Sequence, residues 1–425
     1  MLPSRFLSAI LLLSAVPVHA EGTWNQFRGP SGNGHAEASG LPVEWSADSN
    51  ILWKTLIPNK GWSTPLIHKN QVWLTSATPD GHDFFVHCLD QATGKLQHES
   101  KLLHSETPES LGNDLNSYAS PTGVIEDGRV YLHFGSYGTV CLDTLTFKEI
   151  WRRTDLPCRH YRGPGSSLLD WKDTIILTMD GVDVQYLCAL DKKSGATRWK
   201  TDRDTDFDDL GPDGKPVLEG DYRKAYSTPV LISPGGKNQI VSSGSKATVS
   251  YDPDTGKELW RVTYKGFSNA SLPAWHDGTV AINTGHGKAM LRAYDITATS
   301  TGDITSTLKW EQTKGIPTRS SPVTVEGIIY MNGDGGILSA VDFKDGSLLY
   351  TERVMGTASS SPLYAGGMLF FCNEQGTTTI LKPGRSFQKL GSGTLDSGIM
   401  ASPVAAHDTL YLRTKTALYA IRQKK

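Results

Sequence analysis

The chain is poor in cysteine, with five in 425 residues: Cys88, Cys141, Cys158, Cys188 and Cys372. The number is odd, the spacing is wide and no C-x-x-C occurs, which excludes a zinc ribbon, a thioredoxin-like centre and a haem-attachment site. Cys88 and Cys141 each stand just before a Leu-Asp pair, where they read as small buried hydrophobes rather than a disulfide. Charge of one sign is also lacking. Lys and Arg number 42 against 44 Asp and Glu, a formal net charge of −2, so there is no polybasic footprint and a nucleic-acid partner is not expected. H-E-x-x-H, G-x-S-x-G and a phosphate-binding glycine loop are missing. The acids Asp180, Asp183, Asp334 and Glu374 do not form a calcium loop of the D-x-D-x-D-G type.

Helical spacing is nearly absent, and the one long apolar run is at the N-terminus. Arg5, the stretch from Phe6 to Val16, and Val18-His19-Ala20 before Glu21 read as a secretory signal over residues 1–20. The run is too short to span a bilayer. No cysteine follows it, so no lipid anchor is expected. The expectation is an exported protein, periplasmic or secreted, without a transmembrane segment.

What the chain has in abundance is repetition. Leu89-Asp90 reaches His98, Leu142-Asp143 reaches Trp151, Leu190-Asp191 reaches Trp199, Tyr251-Asp252 reaches Trp260 and Val341-Asp342 reaches Tyr350, each time eight residues after the Asp. Repeat starts are marked by Pro65, Pro121, Pro164, Pro229, Pro273, Pro322, Pro362 and Pro403, at intervals of 40 to 65 residues. Each unit holds four short strands with Gly or Asp-Gly turns, the pattern of propeller blades. The eighth unit stops after strands near 401–406, 409–414 and 417–422, while Ile51 to Leu56 reads as a fourth strand without its first three. The reading is an all-β, eight-bladed propeller of four-stranded antiparallel blades, its ring closed by the N-terminal strand joining the last blade. The expected organisation is a signal peptide over 1–20, an N-terminal arm over 21–50 and the propeller over 51–425. A monomer is expected.

The run Tyr251-Asp252-Pro253-Asp254-Thr255-Gly256-Lys257-Glu258-Leu259-Trp260 resembles the pyrroloquinoline-quinone-like (PQQ-like) propeller repeat of quinoprotein alcohol dehydrogenases and of the outer-membrane-assembly propeller lipoprotein. Trp24-Asn25-Gln26-Phe27-Arg28-Gly29-Pro30-Ser31-Gly32-Asn33-Gly34 is similar to the opening of secreted bacterial proteins of this type. The resemblance covers about residues 24–422. It implies that Trp53, Trp151, Trp199, Trp260 and Trp310 are docking residues packed between blades, with Tyr350 and His98 as departures. A large flat side chain buried there stabilises by roughly 2–3 kcal/mol. Catalytic relatives carry adjacent cysteines over the quinone and a calcium ion held by Glu, Asn and Asp. This chain has no Cys-Cys pair and no such acid set aligns, so no cofactor and no metal are expected; the quinone enters by resemblance only. Function also resides in sites rather than folds.

In a propeller the segments before each inner strand and the turns between second and third strands surround an axial funnel. They offer Trp62, Tyr118, Arg162, Tyr226, Asn269, Arg319 and Met400, then Tyr137, Asp180, Asp183, Lys246, His286, Lys288, Asp334, Glu374 and Lys415. Insertions at 101–118 and 201–226, with the Cys, His, Arg and Tyr-rich segment 156–167 between them, frame one mouth. Within that segment Cys158 reads either as a reactive thiol beside cationic groups or as a buried one. Arg162, Arg319, His160, Tyr118, Asp180, Lys246, His286, Asp334 and Lys415 are the candidate ligand-binding residues, and no catalytic residue is assigned. The functional expectation is a non-catalytic propeller that binds a protein, polysaccharide or small ligand. The alternatives are a quinone- or sugar-handling enzyme and an envelope assembly scaffold.

Overall fold

The computed structural model describes residues 22–354 and 356–424; the expected signal segment lies outside them. The described strands form eight sheets. In chain order the sheets begin at Leu66–His68, Val124–Glu126, Leu169–Trp171, Val230–Ile232, Ala274–His276, Val323–Val325, Leu363–Ala365 and Val404–Ala406. Successive strands of a sheet are antiparallel, as short connections require. The sheet that begins at Val404 takes its fourth strand from Ile51–Leu56, which pairs with Ala417–Arg422 in the register Trp53↔Ala420 and Leu56↔Ala417.

The expected eight-bladed propeller of four-stranded antiparallel blades is corrected. One sheet has six strands and another five. The additional strands His35–Ala36, Glu44–Trp45 and Gly302–Asp303 all pair in parallel. The buried apolar residues form seven clusters among the described residues, because one cluster runs from Leu363 and Phe370 through Tyr411 and Tyr419 to Ile67 and Leu74. Trp24, Leu41 and Trp45 of the N-terminal segment fill this cluster and fuse what repeat counting treats as separate units.

A belt of hydroxyls joins the inner strands. The residue two before each inner strand is Thr64, Thr122, Ser167, Thr228, Leu272, Ser321, Ser361 or Ser402. Its backbone N–H donates to the hydroxyl oxygen at the same position of the next sheet: Thr64 to Thr122 (2.9 Å), Thr122 to Ser167 (2.9 Å), Ser167 to Thr228 (2.8 Å), Leu272 to Ser321 (3.1 Å), Ser321 to Ser361 (3.0 Å) and Ser361 to Ser402 (3.0 Å). Buried amides need such acceptors. The belt corrects two repeat starts: Pro121 and Pro164 precede the belt residues Thr122 and Ser167 and punctuate loops instead. Between Ser402 and Thr64 a buried arginine takes over. Arg413 donates to the Ser63 carbonyl (3.0 Å), the Ser63 hydroxyl (2.7 Å) and the Thr75 carbonyl (2.8 Å).

The outer strands are joined by the tryptophans. The indole N–H of Trp53, Trp151, Trp199 and Trp310 donates to the carbonyl of Gln91, Lys192, Pro253 and Phe343, in each case the residue after the repeat Asp of the next sheet. The ring lies on the glycine four after that Asp. At Gly195, where φ is +72°, an added Cβ would fall 2.7 Å from Trp151. The departures are matched in pairs. In the second sheet Phe147 holds the glycine position at φ +58°, and His98 stacks on it with centroids 4.5 Å apart and planes at 1°. Tyr350 meets Phe387 edge to face at 6.0 Å. Trp260 faces a sheet whose corner is replaced by residues 296–307, and its N–H turns back to Gln239 Oε1 (2.8 Å). Lys389–Thr394 carries no aromatic; Trp45 covers its Gly393 instead.

The segment 24–38 runs round the ends of the inner strands. Trp24 exchanges backbone hydrogen bonds with Ile67 (2.8 and 2.9 Å), the Asn25 carbonyl accepts from Ile125 (2.8 Å) and Gln26 Oε1 accepts from the Asp170 N–H (3.0 Å). Arg28 donates to the carbonyls of Pro322 (2.9 Å) and Pro362. His35–Ala36 pairs with Tyr364 and Ala365, and Ala38 bridges His407.

Two outcomes follow from these contacts. His98→Trp and Phe147→Gly should each destabilise, while the double variant recovers at least ~1 kcal/mol of the summed loss; additive losses in denaturant melts would show that the two positions are independent. Deleting residues 21–57 should lower Tm far more than deleting a surface loop of similar length, as differential scanning calorimetry would show; a change within about two degrees would contradict it.

Candidate functional site

Each inner strand runs from one mouth of the axis to the other, so the residues just before it converge at the first mouth. There they enclose a cavity of about 640 Å3 to which all eight inter-sheet connections contribute, from Trp62 and Ser120 round to Ser359 and Met400. The three framing segments arrive together: Asn113, Leu115 and Asn116 from 101–118, Arg162 and Gly165 from 156–167, and Asp221 and Tyr226 from 201–226. Asn116 ties the first two together by donating to the carbonyls of Arg162 (2.8 Å) and Pro164 (3.1 Å). Phe27 of the N-terminal segment also lines the cavity.

Two arginines set the charge pattern. Arg162 lies over the Tyr161 ring (5.0 Å) and 3.5 Å from Asp221. Arg319 lies three sheets further round, donating to Ser359 Oγ (2.8 Å) and Glu374 Oε1 (3.2 Å), with Asp334 3.6 Å from its Nε. Asp334 also accepts from Thr318. Both guanidiniums remain partly exposed to the cavity, at 35% and 24% of the side chain. Trp62, Tyr226, Phe267 and His286 supply flat faces, and the His286 ring leans on Phe267 at 5.3 Å.

Four of the nine candidates line this cavity: Arg162, Arg319, His286 and Asp334. The other five do not. Tyr118 is buried among Phe84 and Tyr137, with its hydroxyl on the Glu109 carbonyl (2.6 Å). Asp180 forms a buried ion pair with Arg203 at 2.7 and 2.9 Å, and burial raises its pKa. His160 is buried; its Nε2 accepts from the Ser136 N–H (3.0 Å), which directs the Nδ1 proton towards Cys158 Sγ at 3.7 Å. Burial drives the His160 pKa well down and the Cys158 thiol well up, the reverse of an activated pair. Lys246 sits at a left-handed turn (φ +64°) near Tyr222, and Lys415 donates its backbone N–H to Gly398. All five cysteines are free and buried.

Sequence reasoning missed Phe27, Asp221 and Ser359. Phe27 comes from a segment read only as a family mark, and Asp221 from an insertion whose path no periodicity gives. It also missed Lys224, whose ammonium is buried under the cavity wall, donates to the Gly163 carbonyl (2.9 Å) and lies 4.4 Å from the Tyr226 ring centre.

A quinone held with calcium does not fit these side chains. Asp221 faces Arg162, while Asp334 and Glu374 face Arg319. No group of three or more His, Cys, Asp or Glu able to hold a metal occurs among the described residues. No described helix is long and apolar enough to cross a membrane.

Burial lowers the Lys224 pKa from 10.5 to about 7. Unfolded, this lysine keeps its proton to about pH 10.5; folded, it loses it above about 7. Between these values the unfolded chain binds more protons, so stability rises with pH, and the burial cost is present in full below pH 7. Urea unfolding at pH 7 and at about pH 9.5 should show a smaller rise for Lys224→Met than for the parent. Equal rises would place the ammonium in solvent.

Comparison with known proteins places this geometry. A family model described as outer membrane protein assembly factor BamB matches residues 86–222 and 183–425. The assembly factor BamB of Yersinia pestis is 26% identical over 186 residues, which is 43% of this chain and 42% of that protein. The chain thus spans about two fifths of the length of this curated relative. A europium-containing methanol dehydrogenase superposes with a TM-score of 0.70 at 12% identity, covering 93% of this chain and 90% of that one. BamB from Moraxella catarrhalis superposes at 0.60 and 14%, covering 88% and 97%. The quinohemoprotein alcohol dehydrogenase of Comamonas testosteroni does so at 0.65 and 12%, covering 95% and 81%. At these identities the structural likeness shows the fold alone.

Proposed function

The chain belongs to the PQQ-like propeller family described as outer membrane protein assembly factor BamB, and from this we propose that it is an exported, non-catalytic binding propeller. In this reading it takes a segment of a protein partner into the axial funnel and serves as a scaffold in the cell envelope. The observation that carries the reading is the funnel. Its volume of about 640 Å3 lies in the range of roughly 300–1,000 Å3 typical of ligand pockets. Its walls combine aromatic faces with two arginines already neutralised by acids. Such a surface favours a chain with apolar and hydrogen-bonding groups over a free metabolite of high charge.

The quinone-enzyme alternative has the fold in its favour, but the side chains facing the axis do not suit it. The polysaccharide alternative shares the same aromatic walls, and the test separates the two. A photo-crosslinking residue at position 286 should join the protein to a discrete envelope polypeptide, whereas one at position 257, on the opposite face, should not. Arg162→Ala and Arg319→Ala should each weaken that partner's binding roughly tenfold or more, about 1.4 kcal/mol, with Tm within a few degrees of the parent. Unfolding with binding preserved would make these arginines structural. Oxidation of an alcohol or sugar on adding quinone and calcium would overturn the non-catalytic reading.

A further inference from the structure

We propose that the neck of the axis, below the funnel, is a binding site for a small anion. The neck is a cavity of about 120 Å3 that adjoins the funnel, and Thr64, Thr122, Ser167, Ser321, Ser361 and Ser402 line it. The oxygens of Thr122, Ser167, Ser321, Ser361 and Ser402 each accept a backbone N–H of the preceding sheet. None of these hydroxyls donates to a protein acceptor among the described residues. Their oxygens are therefore committed to the wall, and their hydrogens are left for whatever occupies the neck. An oxygen that accepts a hydrogen bond is a stronger donor through its own O–H, so the belt that holds the sheets together also polarises the ring inward.

Three further features favour an anion over a cation or a water column. The Trp62 indole N–H is buried without an acceptor, and Trp62 lines the neck. Arg319 is the one charged side chain among the residues lining the neck; of its acid partners, Asp334 lines the funnel above, and Glu374 accepts from Arg319 and from the Ser359 hydroxyl beside the neck. A cation would need the oxygens' remaining lone pairs with the hydrogens turned away, and the wall offers those hydrogens no acceptor. Water satisfies donors too, but each water brings two hydrogens of its own into a ring already rich in them. Phe27 and Met400 bound the space, which has room for a halide or formate. The neck shares Phe27, Trp62, Arg319 and Met400 with the funnel above it.

Crystals of the full chain soaked in bromide, with anomalous scattering at the bromine edge, give the direct test. The expected result is a peak on the axis within hydrogen-bonding distance of several ring hydroxyls, displaced by formate. In solution, replacing gluconate by bromide or formate at constant ionic strength, at about ten times Kd, should raise Tm by about 1–3 °C. Ser361→Thr should retain the peak and Ser321→Ala/Ser361→Ala should lose it. The proposal fails if the parent shows only water on the axis. It fails also if occupancy appears only at molar bromide without a Tm shift, or if the double variant keeps a peak of equal height.

Discussion

A propeller stands or falls on how one sheet is tied to the next, because each sheet alone leaves both faces exposed. Here the tie at the inner edge is a single hydrogen bond repeated round the axis, from a backbone N–H of one sheet to a Ser or Thr hydroxyl of its neighbour. The bond satisfies an amide that no strand partner can reach and sets the height of each sheet against the next. Where the hydroxyl is missing, at Leu272, the chain loses one link. Where the first and last sheets meet, a buried guanidinium, Arg413, replaces it with three bonds. Burial without a carboxylate lowers the Arg413 pKa to about 9, so even this link relies on dipoles rather than on an ion pair.

The outer edge uses a different contact under a different constraint. A tryptophan can lie flat only on a residue without a side chain, so ring and glycine are chosen together. Phe147 with His98, Tyr350 with Phe387, and Trp45 over Gly393 show the same rule met by other partners. The function proposed for the funnel depends on both ties: the inner belt brings every connection to the axis at one height, and the outer contacts keep the ring from splaying.

Much of this was legible in the sequence because it is written as spacing. The eight-residue step from Asp to Trp survives insertion in the loops, since it counts only a corner and half a strand. The belt was half legible. Ser or Thr before Pro marks it in several sheets, but Pro121 and Pro164 belong to loops, and only hydrogen bonding shows that Thr122 and Ser167 hold the position. The funnel was legible as segments and not as side chains. Sequence places Tyr118, His160 and Asp180 beside the axis, yet whether a side chain turns into the cavity or into the wall depends on backbone direction, and these three turn into the wall. Trp45 and Phe27 were invisible for another reason. Their contacts lie hundreds of residues away, where no local pattern reports on them.

The segment from Trp24 to Ala38 bonds in turn to inner strands along nearly the whole length of the chain. Its contacts therefore span almost the largest sequence separations the protein has. Such contacts cannot form until the sheets they bridge are in place, so the part of the propeller made first by the ribosome is bound to be the last to dock. Contacts of this separation slow folding, and those formed late, after the transition state, act by slowing unfolding. The opening segment is then a latch on the finished ring: it adds little to the speed of assembly and much to the lifetime of the assembled state.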